Sequence, residues 1–266
     1  MTERFAELAS VDGRITATEA ATIGLKDDGL YRGDGAFEVI RLYEGRPFAL
    51  VDHIDRLVRS AIAIELDFDR PALEIEIDAL LAEAGPVDGQ LRLIVTRGGR
   101  RIAATEPVPV HAETLTLATV TYSPTLILNG VKSLSYAANM QATRLAKGRG
   151  ADEAVLVRPD GTVLEPPTSS IFWVSPEGAL RTSALEDGVL ASITRNRLIE
   201  ELNVEEGSFD VEDLRGAGEA FLASTTREIQ AVASIDGRVY PAAPGPRTGE
   251  AQNAFRKRLR SELDAG

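Results

Sequence analysis

Apolar positions recur along this chain with two periods, and the change of period marks where elements begin and end. Residues 37–43 read as a strand, closed by a turn at Gly45-Arg46-Pro47. Over residues 51–66 the apolar positions Ile54, Leu57, Val58, Ala61 and Ile62 return at helical spacing, which predicts a helix with one buried face. Pro71 opens a second helix through residue 84, with Leu73, Ile77, Leu80 and Leu81 along one side. Strands follow at residues 91–96 and 115–122, then a crossing segment over 123–130 and a helix over 136–147. Beyond it, short strands at 154–157, 162–165 and 171–174 are separated by Pro-Asp-Gly and Pro-Glu-Gly turns, and helices fit residues 194–202 and 252–263. The pattern is mixed α and β without a regular βαβ repeat.

Composition narrows what such a fold can do. The 266 residues allow one large or two moderate domains, and 44% apolar with 26% charged residues is ordinary for a packed globular chain. Acidic side chains outnumber basic ones 41 to 29, and the net charge of −12 opposes binding to nucleic acid or anionic lipid. The N-terminus lacks the basic-then-apolar pattern of a secretory signal, and no apolar run approaches the ~20 residues of a membrane span. The expectation is a soluble, cytoplasmic protein.

Scarce residue types exclude whole chemistries. With no cysteine, disulfides, thiol nucleophiles and cysteine-ligated metals are absent, and with His53 and His111 alone a three-histidine metal site is impossible. No metal site is expected. No GxSxG, GxGxxG or GxxxxGK[ST] motif occurs. Basic residues are divided between 25 arginines and four lysines, so each lysine can be weighed singly. Lys26 lies in a Gly- and Asp-rich loop, Lys147 ends a helix, and Lys257 lies in the charged run FRKRLR; solvated roles suffice for all three. Lys132, in VKSLSYAANM, has small and apolar neighbours and no nearby carboxylate. Such a lysine is either a snorkelling surface residue or an amine kept partly desolvated to form a Schiff base with a carbonyl.

Seven segments, in order, bear on that choice: LYRGDGAFEVIRLYEG, HIDRLVRSA, LIVTRG, KSLSYAANMQATRLAKGRGADEAVLV, GTVLEPPTSSIFWV, GVLASITRNRL and FLASTTREIQAV. In sequence and spacing the chain resembles the class IV aminotransferases, the fold-type-IV pyridoxal-phosphate family of D-amino-acid transaminases, branched-chain transaminases and aminodeoxychorismate lyases. The resemblance implies an α+β enzyme of two domains. A small N-terminal domain, residues 1–122, would cover the cofactor, and a larger C-terminal domain, residues 123–266, would carry the catalytic lysine.

The resemblance also implies roles. Lys132 would hold pyridoxal 5′-phosphate as a Schiff base and shuttle the substrate α-proton, and Glu165 would pair with the pyridine nitrogen. Arg56, the backbone amides of Ile193 and Thr194 at a helix start, and the hydroxyls of Ser224 and Thr225 would hold the phosphate. Read without the family, these are a solvated arginine, an ordinary helix start and polar turn residues. The segment EPPTSSI departs from the family pattern, with Pro166 where Gly is usual and Ser170 where Asn is usual, which removes a backbone donor beside Glu165.

Substrate contacts are expected from the N-terminal half. Phe37 stands where an aromatic residue lines the family's pocket. Arg97, Arg100 and Arg101 form a cationic TRGGRR loop suited to bidentate capture of a carboxylate, with Arg32 and Arg92 as further candidates. The resemblance therefore implies a homodimeric transaminase acting on an amino acid and a 2-oxo acid, both small molecules, a D-amino acid being favoured. A branched-chain L-amino-acid transaminase and a pyruvate-eliminating lyase are the alternatives.

Overall fold

The computed structural model describes residues 7–265. By backbone contacts the chain divides into two units, one of residues up to Val110 together with Val131–Tyr136, the other of His111–Gly130 with Ala137–Ala265.

The first unit runs β1 (Leu8–Val11), β2 (Arg14–Ala17), α1 (Asp28–Arg32), β3 (Gly35–Tyr43), β4 (Arg46–Pro47), α2 (Leu50–Ala63), α3 (Arg70–Ala84), β5 (Gly89–Thr96) and β6 (Arg101–Glu106). Its sheet has the order β2-β1-β6-β5-β3-β4. Asp12 and Gly13 both take positive φ between β1 and β2, the geometry a tight hairpin turn needs. The strands β3 and β5 pair antiparallel from Gly35–Thr96 to Leu42–Gly89. Helix α3 starts where Asp69 accepts the Ala72 N–H at 3.0 Å and Pro71 occupies the first turn. Helix α2 packs on β3, and α3 packs on β6 and β1, burying Ile40, Leu42, Ile54, Leu57, Leu73 and Ile77.

The buried face of α2 departs from the one its apolar residues predict. Ile62 is exposed, and the side chains turned inward are His53, Ile54, Arg56, Leu57, Ser60 and Ala61. Polar groups occupy half of the buried stripe because they have partners there, so apolar spacing alone misjudges its centre.

The second unit runs β7 (Thr114–Thr121), α4 (Ala137–Gly148), β8 (Glu153–Val157), β9 (Ser170–Val174), β10 (Leu180–Ser183), α5 (Ile193–Glu201), β11 (Glu205–Gly207), α6 (Val211–Arg215), β12 (Glu219–Ser224), β13 (Glu228–Ile235), β14 (Arg238–Val239) and α7 (Pro246–Ala265). The sheet order is β11-β10-β9-β12-β13-β7-β8, with β14 on β13. Phe172 stacks on Phe221 across β9 and β12 with ring centroids 5.2 Å apart, beside a core that includes Leu115, Val155, Ile171 and Val232. Residues 162–165 make isolated bridges, Val157–Val163 and Thr162–Asp210, rather than the expected strand. Pro166 and Pro167 follow at once, and neither can donate to a ladder. No helix among the described residues is long and apolar enough to cross a membrane.

Gly35 sets the start of β3. A Cβ there would run into the Val95 carbonyl and the Leu134 side chain, so Gly35→Ala is expected to lower stability by about 1–3 kcal/mol. A urea midpoint equal to that of the wild type would show that the strands can part without cost.

Candidate active site

In the first unit, the segment that carries Lys132 lies along the beginning of β3. The Lys132 carbonyl accepts the Phe37 N–H at 3.0 Å, and the Leu134 N–H donates to the Gly35 carbonyl at 2.9 Å. Ala36 and Ser133 form the bridge between these bonds. From the helix side, the Lys132 N–H donates to Ser60 Oγ at 3.1 Å. Both main-chain groups of Lys132 are thereby held. Its Nζ lies 4.4 Å from the centre of the Phe37 ring and 5.7 Å from that of Tyr136. The two rings meet edge to face at 5.3 Å. Aromatic faces of this kind favour positive charge at nitrogen.

Next to this amine lies a buried ionic cluster built by β3 and α2. Glu38 is fully buried; its Oε1 accepts Arg56 Nε at 2.7 Å, and its Oε2 accepts Arg56 Nη2 at 2.7 Å and His53 Nδ1 at 2.8 Å. Burial works to raise the Glu38 carboxyl, but the Arg56 guanidinium and the His53 hydrogen bond reverse this and hold it at about 2. The carboxylate is therefore ionised and can only accept, so His53 must carry its proton on Nδ1. Burial pushes the His53 ring down, Glu38 offsets part of that, and the charges of Arg56 and Lys132 push it further, so the ring is neutral at neutral pH. On α2 the residues His53, Arg56 and Ser60 sit at i, i+3 and i+7, one face of the helix.

Arg56, expected on the helix surface if it had no site role, is thus buried and bidentate. Glu38, His53, Ser60 and Tyr136 did not stand out in the sequence. The available signal was a lone acid inside an apolar strand and one of two histidines three residues before an arginine.

The five arginines named for the substrate each have a carboxylate. Arg97 lies 3.1 Å from Asp34 and also reaches the carbonyl of Glu65, Arg100 lies 2.5 Å from Asp12, and Arg101 lies 2.7 Å from Glu76. Arg92 makes a bidentate pair with Glu106 at 2.6 and 2.8 Å. Arg32 pairs with Asp28 one turn away and is 70% exposed. The TRGGRR stretch is the β5–β6 hairpin: Arg97 and Arg100 lie in its turn and Arg101 opens β6.

In the second unit, Glu165 Oε1 accepts the Leu190 N–H at 2.8 Å, and Ser170 Oγ lies 3.5 Å from Oε2, the long end of hydrogen-bond range. Helix α5 is capped by Ser192, whose Oγ accepts the Arg195 N–H. The Ile193 and Thr194 N–H groups open that helix and take no acceptor among the described residues. Ser224 ends β12 buried, its Oγ accepting the Arg227 N–H at 3.3 Å, and Thr225 follows in the turn to β13. Arg227 ties that turn to Glu153 at 3.2 Å and to Gln230 at 2.7 Å. Among the described residues no group of three or more acids and histidines is placed to hold a metal ion.

Within the second unit, two amides without acceptors among the described residues at a helix start, a turn hydroxyl and an oriented carboxylate suit a phosphorylated ring, and within the first unit a lysine amine beside two aromatic rings suits an aldehyde. The residues fit pyridoxal phosphate.

Comparison with known proteins agrees with that chemistry. Residues 35–235 match the family model for amino-transferase class IV. The D-alanine aminotransferase of Bacillus licheniformis is 33% identical over 275 residues, covering 94% of this chain and 96% of the relative. A putative branched-chain-amino-acid aminotransferase of Methanocaldococcus jannaschii is 34% identical over 256 residues, covering 86% of this chain and 88% of the relative. Among solved structures, the fold IV transaminase CpuTA1 of Curtobacterium pusillum superposes with a TM-score of 0.85 at 25% identity, covering 94% of this chain and 98% of the other.

Proposed function

The chain belongs to the class IV aminotransferases, enzymes that work through pyridoxal 5′-phosphate, and from that premise we propose that it moves the amino group of a D-amino acid to a 2-oxo acid. The observation that carries the catalytic reading is the Lys132 amine, set between Phe37 and Tyr136 on a backbone held at both its N–H and its C=O. Similarity to D-alanine aminotransferases over nearly the whole chain supports the D-amino acid.

When bound, the cofactor supplies an electron sink for the bond broken at substrate Cα. Lys132 Nζ would hold the cofactor through its aldehyde carbon and, with the substrate amine in its place there, would take the proton from substrate Cα. Glu165, oriented by the Leu190 N–H, keeps a proton on the ring nitrogen. The Ile193 and Thr194 amides, with Ser224 and Thr225, donate to the phosphate, and Arg56 adds its charge with its fork held by Glu38. Phe37 contributes an apolar wall. For the substrate carboxylate the candidates are Arg32, Arg92, Arg97, Arg100 and Arg101. Among them Arg32 gives up its partner at least cost, because an exposed ion pair one turn apart on a helix is worth about 0.3–0.5 kcal/mol. The working protein is proposed to be a cytoplasmic homodimer.

The test is the absorption of the reconstituted holoenzyme in the near-ultraviolet and violet during addition of D-alanine, D-glutamate, L-leucine or L-glutamate. The expected result is loss of the lysine-linked cofactor band to a pyridoxamine-like band with the D series. Conversion by L-leucine alone would replace this reading with a branched-chain one, which the Methanocaldococcus jannaschii relative favours. Pyruvate release with no 2-oxo-acid acceptor would mark a lyase.

A further inference from the structure

We propose that Ser60 is a positioning residue for Lys132, fixing from helix α2 the backbone from which the reactive amine projects. The inference rests on the reading of Lys132 given above and adds to it how the amine is aimed. Ser60 is 1% exposed, on the stripe of α2 that also buries Ile54, Leu57 and Ala61. A hydroxyl there costs more than a methyl unless it has a partner, and serine is a poorer helix former than alanine, so packing and helix formation alone favour alanine at this site. The partner is the Lys132 N–H, 72 positions away in sequence, at 3.1 Å.

The bond completes a clamp. Phe37 on β3 holds the Lys132 carbonyl, and Ser60 on α2 holds the N–H of the same residue. With both peptide groups fixed, the direction of the Cα–Cβ bond is fixed, and Nζ is kept over the Phe37 ring. A lysine has four side-chain torsions, so its backbone must be rigid if the amine is to meet a proton at one carbon atom. Ser60 also stands one turn beyond Arg56 on the same face, so a single helix orients both the phosphate-contacting guanidinium and the amine.

The experiment compares Ser60→Ala with the wild-type holoenzyme. Alanine fits the volume and the helix, and the Gly35–Leu134 and Phe37–Lys132 bonds remain to keep the segment on β3. The expected result is a kcat lower by about ten- to a hundredfold with KM within about threefold. The isotope effect with α-deuterated substrate should rise, because proton transfer by Lys132 becomes slower relative to other steps. The pH titration of the lysine-linked chromophore should move. In the cofactor-free protein, hydrogen exchange at the Lys132 amide should accelerate while the melting temperature stays near that of the wild type. A Ser60→Ala enzyme with unchanged kcat, isotope effect and chromophore titration would overturn the proposal, whatever its melting temperature. Lys132→Ala in parallel separates the two readings: an active Lys132→Ala enzyme removes the premise, whereas an inert one beside an unaltered Ser60→Ala enzyme removes only the role of Ser60.

Discussion

Replacing Lys132 by alanine is expected to lower transamination by at least about 10³-fold, and replacement by arginine should do no better. Alanine removes the only group on this segment that can bond covalently to an aldehyde and then accept a proton. Arginine keeps the positive charge over Phe37 but cannot lose it near neutral pH, so it cannot act as base or nucleophile. Neither change should disturb the fold. The hydrogen bonds that fix residue 132 come from its main chain, and the Phe37–Tyr136 edge-to-face contact does not need the amine. Single-turnover kinetics with a D-amino acid, together with near-ultraviolet circular dichroism, would separate loss of chemistry from loss of structure. A Lys132→Arg enzyme that keeps more than about a hundredth of wild-type turnover would contradict the role given to this lysine.

Glu38→Ala should produce the largest loss of stability. It leaves the Arg56 guanidinium buried without its carboxylate and the His53 Nδ1–H without an acceptor. Breaking a buried pair in this way typically costs about 3–5 kcal/mol, a large part of the ~5–15 kcal/mol that holds a domain together. The same cluster predicts a pH dependence. Glu38 titrates at about 2 in the folded protein against 4.5 for a free side chain, so below pH 4.5 the unfolded chain takes up a proton that the native state does not. Its stabilisation is full above that value and is lost as pH falls toward 2. His53, with its ring pushed down by burial, acts in the same direction from about pH 6.5 downward, because only the unfolded form gains the charge. Urea denaturation at several pH values should therefore show stability falling with acid in the wild type, with the limb below pH 4.5 flattened in Glu38→Ala. A variant whose acid limb matches that of the wild type would show that Glu38 is not the titrating group.

How far the sequence reaches differs from element to element. The strand at residues 37–43, the helices beginning near 51 and 71 and the helix beginning near 194 lie within a few residues of β3, α2, α3 and α5, because each has enough apolar positions for its period to be counted. The β1–β2 hairpin and the β12–β13 pair are too short or too uniformly apolar to declare a period. In TRGGRR, three arginines read as a loop suited to a substrate carboxylate, yet Arg101 opens a strand and its carboxylate partner, Glu76, comes from α3. The strand β7 was legible as a strand, but its membership of the second sheet comes from parallel pairing with β13 and β8, which alternation along one strand does not encode.

By itself, the order of motifs along the chain determined the family and the cofactor, and it singled out the two residues proposed to carry the chemistry, Lys132 and Glu165. It could do so because these are identities, and identities are written in one dimension. Only the tertiary structure decided what surrounds them: that Ser60 reaches the Lys132 amide, that Glu38 takes the fork of Arg56 and the proton of His53, and that each candidate substrate arginine already has an acid beside it. The reason is physical. Apart from the Arg32–Asp28 pair on one helix turn, these contacts join residues from 14 to 88 positions apart, and a buried polar side chain is tolerated only where a distant segment brings its partner. Periodicity says which way a side chain points, but not what it will meet.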